Sequence, residues 1–296
     1  MNQLIQAGAK TYYIHTGELM DVYIGVYRLS EEEVCLIDTG DGEKSTRVID
    51  GILEQQGWRV KYIFNTHAHV DHLGVNKYFM EKWGCPAYTT GAANLFSNEI
   101  ALKAASMLGG FRFQELNQVF VPPGPIRLQA IEDFALPEGF ATIPLEGHAF
   151  GMIGIKTPDD VWFLGDSVLN RKSLQKYQFG NLVDVGEYLK NLDTLETLSG
   201  RMFIPGHGEA TDDICQPARE NRQNVLRIID FILEVCKDGK PFDWIVKAVF
   251  DRYCIPNNVV QYYVISITLR GYITYLKDRG RLCHEFRDNL FVWKSV

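Results

Sequence analysis

The 296-residue chain has no apolar run approaching the roughly 18 residues that span a bilayer. Its first ten residues lack both a basic start and a long apolar stretch. Neither a membrane segment nor a secretion signal is expected, and the chain is expected to be a soluble cytoplasmic protein. Cysteine is sparse and scattered: six residues at 35, 85, 215, 236, 254 and 283, with no C-x-x-C pair. That argues for buried thiols in a reducing compartment rather than a disulfide framework. No internal repeat or low-complexity segment stands out. Histidine is scarce too, with seven in the chain, and its distribution is uneven.

Three of the seven fall in His67-Ala68-His69-Val70-Asp71-His72. This hexapeptide follows Val60-Lys61-Tyr62-Ile63-Phe64-Asn65, a β-branched and aromatic run that reads as a buried strand. Imidazole nitrogens and carboxylate oxygens suit Zn²⁺ and, less selectively, Fe²⁺ or Mn²⁺, so four such groups in one turn point to metal. Downstream, His148 follows Ile143-Pro144-Leu145-Glu146-Gly147, Asp166 follows Val161-Trp162-Phe163-Leu164-Gly165, and His207 follows Met202-Phe203-Ile204-Pro205-Gly206. Each is an apolar run, a glycine and a ligand-type side chain. Any one alone is an ordinary turn residue, but four strand tips with ligand types suggest a shared centre.

H-x-H-x-D-H, a lone histidine, a Gly-Asp after an apolar strand and Pro205-Gly206-His207-Gly208 together resemble the metallo-β-lactamase superfamily over about residues 10 to 210. Leu36-Ile37-Asp38-Thr39-Gly40 is similar to that superfamily's amino-terminal strand and turn. The resemblance implies an α/β (α+β) fold, a four-layer αββα sandwich with two divalent metals at one edge. By the same analogy His67, His69 and His148 bind the first metal. Asp71, His72 and His207 bind the second, Asp166 bridges, and Asp71 also serves as a catalytic group. Zinc is the expected ion, with iron or manganese as alternatives. Two cations about 3.5 to 4 Å apart would hold a hydroxide between them, with the pKa of that water brought to about 7, and expose an ester, thioester or lactone to its attack.

The same comparison separates relatives. His69 stands where flavodiiron-type oxygen reductases carry an acid, and Asp166 where the common zinc β-lactamases carry a cysteine. Mononuclear iron persulfide dioxygenases share the motif and stay as an alternative. Leu169 replaces the tyrosine of the quorum-signal lactonases, and Val75 a glycine of the glyoxalase-two hydrolases; both assignments are weakened.

Beyond the motifs, strands are expected at Thr11 to His15, Val22 to Leu29 and Val34 to Ile37, with a helix from Glu43 to Gln56 closed by Gly57. A further helix at 74 to 83 and a strand from Pro86 to Thr89 follow. Residues 91 to 125 read as a lid insertion in which Phe96, Met107 and Phe111 would present an apolar wall to substrate, or as ordinary core or a dimer contact. After Asp166, the basic loop offers Arg171, Lys172, Lys176 and Tyr177 as substrate-binding candidates, although such loops are mostly solvated.

A boundary is expected at 216/217. Residues 217–296 carry 13 Lys plus Arg against 9 Asp plus Glu, net +4, and residues 1–216 carry 17 against 28, net −11. Helical spacing from Val225, a helix from Phe242 to Tyr253, another from Asn258 to Arg279 and a hairpin around Asp288-Asn289 resemble a winged helix. Such a tail permits nucleic-acid contact, as in lactamase-like ribonucleases or a regulatory DNA-binding protein. Its candidate recognition helix, Val259 to Arg270, is almost without charge, which favours homodimerisation or covering the active site. The leading expectation is a dinuclear hydrolase of a small molecule, with a phosphodiesterase as the nearest rival.

Overall fold

The computed structural model describes residues 3–17, 20–98, 126–176 and 178–296. Among these, seven strands form one sheet in sequence order: β1 (Leu4–Gln6), β2 (Thr11–Thr16), β3 (Val22–Arg28), β4 (Glu33–Ile37), β5 (Arg59–Phe64), β6 (Ala87–Thr89) and β7 (Gln129–Ala130). A second sheet, in the order β11-β10-β9-β8, comprises β8 (Ala141–Pro144), β9 (Ile153–Lys156), β10 (Val161–Phe163) and β11 (Met202–Ile204). The helices of this part are α1 (Gly42–Gln56), α2 (Val70–Leu73), α3 (Asn76–Trp83), α4 (Gly91–Asn98), α5 (Arg171–Lys176) and α6 (Val185–Thr197). The expected strands and α1 are present to within about two residues, and Gly57 closes α1 in the left-handed region at φ 69°. The helix expected at 74 to 83 is present as α3 and starts two residues later, at Asn76, because Val75 at φ −100° and ψ 1° leaves helical geometry and separates it from the short α2. Gly74 lies so close to the backbone that an added Cβ would stand 2.6 Å from the Val70 carbonyl oxygen.

Strand alternation assigns the layers. In β4, Val34 and Leu36 join α1 residues Ile49 and Leu53 in one cluster, whereas Cys35 and Ile37 face the second sheet. In β10, Val161 and Phe163 meet that same inter-sheet cluster, and Trp162 turns the other way onto α6 residues Leu192 and Leu195. Three apolar seams thus separate helix, sheet, sheet and helix, the αββα order expected. Among the described residues no helix is long and apolar enough to cross a membrane.

The carboxyl-terminal part contains α7 (Cys215–Val235), α8 (Phe242–Tyr253) and α9 (Val259–Asp278), with a small sheet ordered β12 (Lys240–Pro241), β14 (Leu290–Ser295), β13 (Leu282–Arg287). Asp288 and Asn289, at φ 47° and 63°, form the two-residue turn between β13 and β14. Positive φ at both positions matches the twist of paired antiparallel strands. Ile229 and Ile232 of α7, Val249 of α8 and Leu269, Tyr272 and Leu276 of α9 share one hydrophobic cluster with Trp162, Leu164 and Phe203 of the second sheet. The apolar seam therefore runs across residue 217.

A core shared across residue 217 is expected to make the two parts unfold together. Leu269 is fully buried, and Leu269→Ala is expected to cost about 2–5 kcal/mol. Denaturant unfolding followed by far-UV circular dichroism and by tryptophan fluorescence should give one coincident transition, shifted by that amount. Two separate transitions, with only one responding to the substitution, would show that the two parts fold independently.

Candidate metal centre

Strand direction gathers the ligands. β4 and β5 are parallel, so Asp38 and the segment from Asn65 to His67 leave the first sheet at the same edge. β8 is antiparallel to β9, β9 to β10, and β10 is parallel to β11, so β8, β10 and β11 point the same way. His148, Asp166 and His207 follow their carboxyl ends. The chain from His67 turns at once into α2, with His69 at its N-cap, which sets Asp71 and His72 on a single helical turn.

Two clusters result, His67, His69, His148 and Asp166, and Asp71, His72, His207 and Asp166, each with ligand atoms within 4.8 Å of one another. His148 Nε2 stands 3.0 Å from His69 Nδ1 and 3.1 Å from Asp166 Oδ2. His207 Nε2 is 3.0 Å from Asp71 Oδ2 and 3.4 Å from Asp166 Oδ2. His72 Nε2 is 3.2 Å from Asp166 Oδ1. All seven expected ligands are thus brought together, with Asp166 common to both groups.

The outer ring nitrogens fix the tautomers. His148 Nδ1 donates to the Asn181 carbonyl at 2.8 Å and His207 Nδ1 to the Asp21 carbonyl at 2.6 Å. His72 Nδ1 donates to Asp38 Oδ2 at 2.8 Å. His67 Nδ1 donates to Thr66 Oγ1 at 3.1 Å, and Thr66 Oγ1 donates in turn to Asp38 Oδ2 at 2.8 Å. A carbonyl or carboxylate can only accept, so Nε2 of these rings faces inward with its lone pair once the ring is neutral. His67 Nε2, His72 Nε2 and Asp166 Oδ1 are buried without a hydrogen-bond partner. Orphaned donors and acceptors at such depth cost free energy unless a cation answers them, so the residues fit a pair of metal ions. Gly206 leaves the necessary space: a Cβ there would lie 2.5 Å from Asp166 Oδ1 and 2.7 Å from His72 Cε1.

Electrostatics agree. Burial raises the carboxyl pKa of Asp166, yet His207, His72 and His148 outweigh it and hold the group well below the carboxylate range. Burial likewise opposes ionisation of Asp71, and the His207 hydrogen bond with the nearby His72 charge reverses that. Burial would depress the His72 imidazole, but Asp166 and Asp38 lift it to about 10. His67, penalised by burial and then by the positive His72 and His69, is held well below the usual imidazole value.

The candidate substrate residues are placed differently. Arg171, on α5, is bonded to Glu220 at 2.8 Å, and Lys172 to Glu209 at 2.6 Å; neither lines the cavity beside the metal centre. Lys176 ends α5 and Phe96 lies on α4. Tyr177, Met107 and Phe111, with residues 99–125 of the expected lid, lie outside the described residues. The cavity, about 880 Å³, starts at Ala68, His69 and Ala149 and runs between α6 and α9, where Lys190, Arg270 and Arg279 line it. None of those three cations stood out in the sequence. The usable signal was the four-residue recurrence of Tyr262, Ser266, Arg270 and Thr274 on an otherwise apolar helix. Asp38, noted only as part of a motif, holds His72.

The sequence profile of the metallo-beta-lactamase superfamily matches residues 18–207. The lactamase-like protein adaB of Aspergillus niger is 25% identical over 219 residues, 73% of this chain and 55% of that protein. This chain therefore spans about half the length of that relative. The probable metallo-hydrolase YqgX of Bacillus subtilis is 24% identical over 200 residues, 64% of this chain and 88% of that protein. A beta-lactamase domain protein from Burkholderia ambifaria superposes with TM-score 0.78 at 18% identity, covering 99% of this chain and 94% of its own. That superposition includes α7 to α9 and the small sheet.

Because Asp38 orients His72 from outside the ligand set, Asp38→Asn is expected to weaken metal binding by about 10–100-fold without unfolding the protein. Competition with a chelator reads this, and unchanged affinity would remove Asp38 from the positioning network. In the metal-free protein His72 is protonated at neutral pH, and its raised pKa contributes stability that is complete below the unfolded value and lost as pH rises through about 10. A metal ion held by His72 would have to displace that proton. Calorimetric heats at pH 7.5 should vary with buffer ionisation enthalpy in the sense of proton release, and a flat dependence would show the imidazole already neutral.

Proposed function

This chain belongs to the metallo-beta-lactamase superfamily, and from that premise we propose that it is a metal-dependent hydrolase, a dinuclear enzyme that hydrolyses an ester, thioester or lactone bond of a small molecule. The observation that carries the reading is the pair of four-residue clusters joined through Asp166. A mononuclear iron dioxygenase would need only one cluster, and here the second is equally closed: His207 Nε2 lies 3.0 Å from Asp71. The donors are imidazole and carboxylate only. Zinc is the ion we propose, and iron or manganese suit the same donors.

When bound, the two metals supply Lewis acidity toward the scissile carbonyl and the leaving atom, and make water a nucleophile at neutral pH. The chain's own residues do the rest. His67, His69 and His148 with Asp166 would hold one ion, and Asp71, His72 and His207 with Asp166 the other. Asp71, kept ionised against its burial by His207 and His72, would orient the attacking water through its carboxylate. The Asn181 and Asp21 carbonyls keep His148 and His207 from rotating as charge develops.

The placement of α9 supports a small-molecule substrate. Its Tyr262, Ser266, Arg270 and Thr274 face the cavity, the face a nucleic-acid reader would need to turn outward. The phosphodiesterase reading leaned on Arg171 and Lys172, which are occupied by Glu220 and Glu209. Six free cysteines suit a reducing compartment.

Purified protein is expected to hold close to two metals per chain. Asp166→Asn, which weakens the shared ligand, should leave one or fewer and abolish turnover. A panel of generic ester, thioester, lactone and bis-nitrophenyl phosphate substrates then ranks the bond classes by kcat/KM. One iron per chain without hydrolysis of any member would sink the proposal in favour of dioxygenase chemistry, and phosphodiester turnover exceeding the acyl substrates would replace it with the nuclease reading.

A further inference from the structure

The cavity beside the metal centre is too large for a scissile bond alone. At about 880 Å³ it has the volume of a site for an extended ligand. One end is Ala68, His69 and Ala149, at the metals; the walls are the start of α6 and one face of α9. Thr268 of α9 accepts a hydrogen bond from Leu182 N at 3.3 Å and donates to Asn181 Oδ1 at 3.2 Å. Gly271 packs against the same segment, with room for no Cβ beyond 3.0 Å from the Val183 carbonyl oxygen. Asn181 is the residue whose carbonyl holds His148. Arg270, between those two contacts in sequence, is therefore carried on a helix docked directly on the wall of the metal centre.

The charges lining the cavity are not equally available. Lys190 and Glu187 neutralise one another at 2.6 Å, and Asp184 is spent capping α6 through Glu187 N at 2.9 Å. Arg270 and Arg279 are held instead by aromatic faces, the guanidinium carbons 4.1 Å from the Phe242 ring centre and 3.8 Å from that of Tyr275. Among the described residues neither guanidinium has a carboxylate within ion-pair distance. Asp278, the remaining lining carboxylate, is eight residues from Arg270, about 12 Å along the helix. Stacking fixes the plane of a guanidinium while leaving its N–H edges free, which presents a planar fork to an oxyanion. One helical turn away the Ser266 hydroxyl, next to Tyr262, lines the same cavity.

We propose that this cavity binds the part of the substrate beyond the scissile bond, and that this part ends in an anion, a carboxylate or a phosphate, received by Arg270 with Arg279 behind it. Ser266 hydrogen-bonds a polar atom of the connecting chain. The substrate is thereby an anion-ended acyl ester or thioester rather than a small neutral ester or a simple lactone. This deepens the hydrolase reading and rests on it for the position of the scissile bond. Arg270 is a specificity residue and takes no part in bond cleavage.

The test uses the zinc-loaded 296-residue chain and one acetyl thioester series whose thiols have equal length and end in carboxylate, phosphate or hydroxyl. The matching thioethers, which cannot be hydrolysed, serve for binding by calorimetry. Wild type should bind an anion-ended thioether at least about tenfold more tightly than the hydroxyl-ended one, and show the same ratio in KM with little change in kcat. The better of the two anionic arms identifies the group. R270Q should collapse the ratio toward one and R270K restore part of it, with metal content and melting temperature checking that the fold persists. Arg171→Gln, a surface cation outside the cavity, should leave the ratio intact. Equal binding of all three thioethers by wild type, an unchanged ratio in the R270Q R279Q double variant, or an equal loss in R171Q would overturn the proposal. Selective binding without hydrolysis of any thioester would leave the subsite standing and reject the proposed reaction, so the two failures are distinguishable.

Discussion

Asp166 is the charge on which the structure turns. A carboxylate removed from water costs several kcal/mol unless positive partners surround it, and Asp166 is 7% exposed. His148, His72 and His207 approach its oxygens at 3.1, 3.2 and 3.4 Å, with His67 at 3.9 Å. The imidazoles in turn are hard to protonate together: burial first, and then the neighbouring His72 and His69, hold His67 well below the usual imidazole value. Neither set is tolerable alone at that depth. Cations placed between the carboxylates and neutral rings satisfy both, and this explains why so many ligand atoms converge where ordinary packing would place apolar groups.

Holding such a cluster requires both sheets at once. His207 belongs to the second sheet, yet its Nδ1 proton goes to the Asp21 carbonyl just ahead of β3, and Tyr23 N donates to the Gly206 carbonyl at 2.9 Å. Thr66, from the first sheet, accepts from Ile153 N at 2.9 Å while its hydroxyl serves Asp38. The ligand geometry is consequently a property of the seam between the sheets. Behind it, Thr39, Asn65 and Asn76 form a buried amide and hydroxyl network that ties α3 to the turn: Asn76 Nδ2 donates to Asn65 Oδ1 at 2.6 Å and Thr39 Oγ1 to Asn76 Oδ1 at 2.7 Å. A network satisfied this fully rigidifies the turn that carries Asp71 and His72.

The features legible in the sequence were those with local causes. The continuous apolar runs Val34 to Ile37 and Val161 to Phe163 are local features, as is the left-handed pair Asp288-Asn289, so strands and hairpin could be read directly. The candidate metal cluster was legible because a strand end, a glycine and a ligand-type side chain form one short word, repeated. Substrate residues have no such word. Arg171 and Lys172 looked promising for their nearness in sequence to Asp166, but a side chain's direction depends on what it meets, and these meet Glu220 and Glu209. Arg270 lies 104 residues beyond Asp166 and reaches the cavity only because α9 packs on the Asn181 to Val183 segment. The low charge of α9 argued against a nucleic-acid surface; its physical reason is that one face is core and another lines a cavity.

With the proposed anion subsite on α9, chemistry and selection would have different addresses in the chain. The superfamily match ends at residue 207, the last metal ligand, while Tyr262, Ser266, Arg270 and Arg279 come from α9 and its end. Among the described residues Asn181 and Asp21, which hold His148 and His207, take their recorded side-chain bonds from residues other than Tyr262, Ser266, Arg270 and Thr274, so substitutions on that face of the helix are expected to spare the centre. Thr268 is the exception. It faces inward, fully buried, and its hydroxyl fixes Asn181, whose carbonyl orients His148. Through that one residue the helix that shapes the cavity also supports the first metal site, so the position of the wall and the geometry of the reacting edge are mechanically coupled.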